Sequence, residues 1–150
     1  MEILEKTIAQ HPFWKGLNPD YLHLLQECAA CEIFEAGQLV FQEGQEADRF
    51  CLIQKGQVRL DAFGPGRGTV TVQTLAAGAP LGWSWLFPPY RWHFSAHANE
   101  TTELIRFDGK FLRDLAELNH DFGYELIKRI STVLLERLQE TRLLLVDFYG

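Results

Sequence analysis

The pattern of apolar and polar positions changes period twice along this chain. Residues 1–10 place Ile3, Leu4 and Ile8 on one side of a short helix. His11-Pro12 stops it, because proline disfavours helix in the residue before it. Asn18-Pro19 reads as an N-cap followed by proline at the first helical position. The second helix runs to about Ala29 and offers Tyr21, Leu22, Leu24 and Leu25 for burial. From Glu32 short apolar runs take over: Ile33-Phe34, Leu39 to Phe41, Phe50 to Ile53, Val58 to Phe63 and Val70 to Leu75. Gly37, Gly44, Gly56, Gly64-Pro65-Gly66 and Gly78 separate them, which predicts short antiparallel strands with glycine turns. Thr69 to Gln73 alternates as a half-buried strand should, and Gly64 to Gly68 forms a hairpin tip. After a proline-interrupted insert, His93 to Ala98 and Thr102 to Phe107 predict two more strands. Asp108 caps a helix through Phe111, Leu112 and Leu115, and Asn119 caps a last helix over about His120 to Val146.

Helices, then strands, then helices is the α+β order. It predicts one domain over 1–150, with N-terminal helices over 1–29, a β-roll over 30–107 and C-terminal helices over 108–147. A chain with 47% hydrophobic and 23% charged residues is not disordered. The net charge of −6 and a longest basic cluster of only Lys128-Arg129 argue against DNA or an anionic membrane as partner. Three cysteines, Cys28, Cys31 and Cys51, with no secretory signal, predict reduced thiols in a cytoplasm. No apolar run approaches the roughly 18 residues of a membrane span.

The turn glycines and their neighbours also carry a family pattern. Phe13 with Gly16-Leu17, Glu35-Ala36-Gly37, Val40-Phe41, Glu43-Gly44, Ala47-Asp48, Phe50 to Ile53 and Gly56 with Val58 belong to it. So do Leu75, Gly78, Gly82, Ala98, Glu103-Leu104 and Phe111-Leu112. In this order they resemble the cyclic-nucleotide-binding domain superfamily, found in the sensor half of catabolite-activator-type (Crp/Fnr-like) regulators. The resemblance covers nearly the whole chain. It implies an eight-stranded antiparallel β-roll, jelly-roll-like, with N-terminal helices and a long C-terminal helix.

The family binds its ligand in a loop and short helix between the sixth and seventh strands. A Gly-Glu pair opens that cassette, the Glu holding the ribose hydroxyl, and an Arg followed by Ser or Thr closes it on the cyclic phosphate. Here Gly82 is kept, but Trp83 stands at the Glu position. Counting back from Ala98 and Glu103, the Arg position falls on Trp92 and the Ser/Thr position on His93, with Arg91 one residue out of place. Losing two charge-assisted anchors, at about 1.5–3 kcal/mol each, disfavours ordinary cAMP or cGMP binding. Two readings of the aromatic string remain. In one, Trp83, Trp85, Phe87 and Trp92 fill the emptied site themselves. In the other they build a new pocket in which Ser84, Arg91 and His93 are the polar contacts for an apolar or anionic effector. The candidate ligand-binding set is therefore Gly82, Trp83, Ser84, Trp85, Arg91, Trp92 and His93.

Catalytic and metal motifs are weaker. Cys28-Ala29-Ala30-Cys31 is a lone CxxC at a helix-to-strand boundary and reads as ordinary buried cysteines, with Cys51 in the core. His93 and His97, four apart, fall on one face of one expected strand and, with Glu100 or Glu103, resemble a cupin metal site. The His-x-His spacing of cupins is absent, and no metal or certain cofactor is expected. The last helix carries Phe122, Leu126, Ile127, Ile130, Val133, Leu134, Leu138, Leu145 and Val146 at three-and-four spacing. In the family this helix pairs across a two-fold axis, which implies a homodimer. The chain reaches Phe148-Tyr149-Gly150 without the helix-turn-helix that follows in the regulators, so DNA binding by this chain is not expected. The expected role is a non-enzymatic, small-molecule-sensing or vestigial domain signalling through its C-terminal helix. The alternatives are a genuine cyclic-nucleotide receptor using Arg91 and an interaction scaffold without ligand.

Overall fold

A computed structural model describes residues 2–149, with side chains over 4–146. Internal packing divides the chain into two compact units, 1–114 and 115–150. The first begins with α1 (Glu2–Gln10) and α2 (Pro19–Glu27). Ile8 of α1 is fully buried; the side chain of Ile3 lies outside the described residues. Asn18 caps α2 as its sequence predicts, its Oδ1 accepting from the Asp20 amide at 2.9 Å. That helix ends at Glu27 rather than Ala29, because β1 (Ala29–Phe34) has already begun to pair.

Six further strands follow: β2 (Leu39–Phe41), β3 (Arg49–Lys55), β4 (Gln57–Gly64), β5 (Gly68–Ala76), β6 (Ser95–Ala98) and β7 (Thr102–Asp108). They form two antiparallel sheets, ordered β1-β7-β3 and β2-β6-β4-β5. The expected β-roll with flanking helices is therefore present, with seven strands among the described residues where eight were expected. The difference lies in the insert after β5, which pairs at isolated points only, Pro80 with Leu52 and Arg91 with Glu46. Three prolines, Pro80, Pro88 and Pro89, and a run of bulky aromatics there leave too few consecutive amides in register for a strand.

The core of this unit is aromatic. Phe50 on β3 sits opposite Phe107 on β7. Trp14, in the turn between α1 and α2, meets Phe107 edge-on at 5.8 Å, and Phe13 meets Phe50 at 4.9 Å. Buried His11 fastens the same turn: its Nε2 donates to the Ile53 carbonyl at 3.0 Å, and its Nδ1 accepts from the Phe13 amide at 3.1 Å. Gly56 makes the tightest reversal, at φ +98° with a Cβ position only 2.5 Å from Thr102 Oγ1 and 2.6 Å from the Thr101 carbonyl. Only glycine fits there.

β5 departs from expectation. Its alternation predicts a half-buried strand, yet eight of its nine residues are not buried, with Val70 39% and Val72 42% exposed. It is the sheet edge, bonded to β4 alone, and alternation records the strand period, not what covers each face.

α3 (Gly109–Leu118) starts in the first unit, and the Phe111 amide donates to Asp108 Oδ1 at 2.8 Å, the cap its sequence predicts. In the second unit, α4 (His120–Tyr149) is capped by Asn119, whose Oδ1 accepts from the Phe122 amide at 3.1 Å. A Cβ on Gly123 would stand 2.8 Å from the Ala116 carbonyl, so that glycine lets α4 approach the end of α3. Phe122, Leu126 and Ile130 are buried, whereas Leu135, Leu138, Leu143, Leu144, Leu145 and Val146 are exposed. No helix among the described residues is long and apolar enough to cross a membrane.

Candidate functional site

The cassette is the segment 80–94, and backbone pairing fixes both its ends. The Leu81 amide donates to the Cys51 carbonyl at 3.0 Å, tying its start to β3. At its far end the Ala47 amide donates to the Tyr90 carbonyl (2.7 Å), the Trp92 amide to the Gln45 carbonyl (3.0 Å) and the Gly44 amide to the Trp92 carbonyl (2.8 Å). Between these anchors the chain makes two tight turns, Leu86 to Trp83 and Tyr90 to Phe87, each amide-to-carbonyl distance being 3.0 Å. Tyr90 takes φ +57°, rare for a residue with a side chain. Arg113 of α3 braces the turns: its guanidinium lies 4.2 Å above the Tyr90 ring and donates to the Trp85 carbonyl.

Two tryptophans of the cassette point into the protein. Trp85 is fully buried, tilted against Phe50 at 4.9 Å, and its Nε1 donates to the Gly82 carbonyl at 3.2 Å. Trp92 is 4% exposed and stacks on Phe41 at 3.8 Å with the planes 9° apart. Gly82 lies against this ring, its Cβ position 3.5 Å from Trp92 Cζ3. Gly82, Trp83 and Ser84 are half-buried, while Arg91 and His93 are exposed.

Of the expected ligand-binding set, one open cleft brings together Arg91 and Trp92. It measures about 380 Å³ and is shared with Phe41, Gln45, Glu46, Asp48 and Arg49. Gly82, Trp83, Ser84, Trp85 and His93 do not line it. The Arg91 guanidinium makes one long bond, 3.4 Å to the Gly44 carbonyl. Arg49 was not anticipated from sequence: its Nη2 donates to the Val40 carbonyl, and its Nε is buried without a hydrogen-bond partner. Its place beside Ala47-Asp48, in the loop that opens β3, was the available signal.

A second cleft, of about 320 Å³, is lined by Glu43, Asp61, Phe63, Ser95 and His97 among others. A β-bulge after Leu60 leaves both Leu60 and Asp61 buried. The Asp61 carboxylate accepts from Thr71 Oγ1 at 2.7 Å and from Arg59 Nε at 3.0 Å, and His97 Nδ1 lies 3.3 Å away. Burial raises the Asp61 pKa, but these partners outweigh it and bring the group below its ordinary value. His97 thus has a carboxylate partner on β4 and does not pair with His93. His93 precedes β6, so the expectation of two histidines on one strand face is corrected: Phe94 turns the chain before pairing begins at Ser95.

The CxxC also differs from its reading as two buried thiols. Cys28 is half-buried, and burial pushes its thiol up to about 11, but Cys31 is exposed on β1. β1 starts before Cys31 and carries it, like exposed Ile33, on an edge strand. Cys51 is buried, as expected, and burial raises it to about 12. No group of three or more His, Cys, Asp or Glu among the described residues is placed to hold a metal ion.

Comparison with solved structures agrees with this architecture. A Geobacter metallireducens protein described as a cyclic nucleotide-binding protein superposes with a TM-score of 0.78 at 27% identity, covering 91% of this chain and 96% of its own. The sensor domain of the transcriptional regulator DNR from Pseudomonas aeruginosa gives 0.72 at 21% identity, covering 93% of each chain. The Thermus thermophilus catabolite activator protein gives 0.72 at 24% identity, covering 92% of this chain and 63% of its own. The model of the cyclic nucleotide-binding domain matches residues 31–119, more than half of the sequence, and the chain belongs to that family.

Proposed function

We propose that this chain is a regulatory sensing domain in which the family's nucleotide position is closed by the protein's own aromatic side chains. One observation carries the reading: Trp92, at the phosphate-arginine position, is buried against Phe41 and leaves no guanidinium there. Trp83 stands where the family's ribose carboxylate is expected and Trp85 is buried against Phe50, so neither polar anchor is supplied. Cyclic nucleotides have no charge partner at that position. Of the expected polar contacts Ser84, Arg91 and His93, Arg91 lines the open cleft beside the cassette. Output through α4 is supported by its row of exposed leucines beyond residue 134, a face suited to a second copy of the chain.

Thermal unfolding with and without saturating cAMP or cGMP tests the reading. The expected result is an unchanged midpoint. A ligand at 100 times its dissociation constant adds about 2.7 kcal/mol, so a clear rise with either nucleotide would overturn the closed-site reading in favour of a receptor anchored by Arg91. Sedimentation of wild type and Leu135→Lys/Leu138→Lys tests the output: a dimer that dissociates in the variant supports it, and a wild-type monomer at high concentration removes it.

A further inference from the structure

The cleft beside the cassette holds a charge arrangement that the fold itself does not use. Arg49 and Arg91 both line it, on the start of β3 and the end of the cassette. Arg49 is held in place through Nη2 on the Val40 carbonyl, while its Nε is buried with no acceptor. A buried donor on a cation without a partner is costly, which makes such a group unusual in a finished fold. Arg91 has only its long bond to the Gly44 carbonyl and is otherwise exposed. Glu46 stands directly opposite Arg91 in the backbone pairing and Asp48 lines the same cleft, yet neither carboxylate is ion-paired with either guanidinium among the described residues.

We infer that this cleft binds a small oxyanion, a phosphate or a carboxylate, between the guanidiniums of Arg49 and Arg91. A guanidinium presents a planar fork of donors that matches either oxyanion. Arg49 is already fixed, so little side-chain freedom is lost when the anion docks. The floor is the stacked pair Phe41 and Trp92, rigid and apolar. Glu46 and Asp48 repel a polyanion, so the ligand carries one oxyanionic group, with any amine or hydroxyl turned towards the carboxylates. The volume, about 380 Å³, is at the low end of small-molecule sites and suits a metabolite-sized ligand. Neither Gly82 nor Trp83 lines the cleft, so its binding does not depend on the nucleotide position being closed.

Titration of ¹⁵N-labelled protein with inorganic phosphate and, separately, with acetate tests this, sodium chloride holding the ionic strength constant. The expected result is saturable shifts confined to residues 41–49 and 91–92. Arg91→Gln, an exposed change that leaves the fold intact, should weaken binding at least tenfold. Arg49→Lys keeps the charge but not the fork, and should weaken it by a smaller factor with the Val40 contact retained. Saturation by phosphate alone, by acetate alone or by both supports the site and identifies which oxyanion it takes. Shifts that do not saturate, that sodium chloride reproduces, or that persist unchanged in Arg91→Gln would overturn it. Cyclic AMP binding that survives Arg91→Gln would instead count against the closed nucleotide position and leave this cleft standing.

Discussion

The strand frame and the cassette are both well packed, but different things hold them. In the frame, β7 lies antiparallel between β1 and β3, its register shifting only between Ile53 and Lys55 of β3, and glycines such as Gly56 supply the reversals. Along its inner strands, β4, β6 and β7, the backbone is paired on both sides before any side chain is considered. The cassette has only point pairings at its ends, and between them side chains do the holding: Trp85 against Phe50, Trp92 on Phe41, and Arg113 over Tyr90. The frame therefore owes its shape first to backbone pairing. In the cassette, a change of residue alters what the site is.

The comparison predicts that Trp85→Ala is the most damaging single change. Trp85 is fully buried, and truncating a buried aromatic of this size costs about 3–5 kcal/mol. Chemical denaturation would show it, and a loss below about 1 kcal/mol would mean that the cassette lines a cavity instead of filling one. In the frame the counterpart is Gly56→Ala. An added Cβ meets Thr102 Oγ1 at 2.5 Å in a left-handed backbone conformation. Strain and overpacking, about 1–3 kcal/mol each, place its cost near that of Trp85→Ala or just below. Equal losses at the two sites would show the plug to be as structural as the turns.

How much of this was legible in the sequence follows the same division. Helix ends could be read because Asn18, Asp108 and Asn119 bond to amides within three residues of themselves. Strand runs could be read because their period is local. The exposure of β5 could not, since it depends on which strand lies beside it. At the site, the cluster of aromatics from Trp83 to Trp92 was visible in the sequence, but which of them turn inward was not. Arg49 and Asp61 escaped notice because their significance lies in neighbours far along the chain, at positions 91, 71 and 97.

His11 sharpens the contrast through pH, since it belongs wholly to the frame. Burial lowers its pKa from the ordinary 6.5, the Ile53 carbonyl offsetting this only in part. The neutral ring is the folded form, because Nδ1 must accept from the Phe13 amide. The unfolded chain therefore binds the proton more readily. The stability His11 contributes is complete above pH 6.5 and is lost as pH falls from there through the lowered folded value. Unfolding free energy measured from pH 7.5 to 5 should decline more steeply in wild type than in His11→Gln. Parallel profiles would mean that the buried ring is not the titrating group.

The smallest effect expected is at the caps, where frame and helices meet. Asn119→Ala removes the oxygen that accepts from the Phe122 amide at 3.1 Å, and Asp108→Ala the one that accepts from Phe111 at 2.8 Å. Each should cost about 1 kcal/mol. Asp108 should cost slightly more, because its charge also faces the positive end of the α3 dipole. Raising the ionic strength should narrow that gap, since it screens the dipole term and leaves the hydrogen bond. A gap indifferent to salt would assign the difference to geometry alone. The caps would then behave like the glycine turns of the frame, where position matters and charge does not.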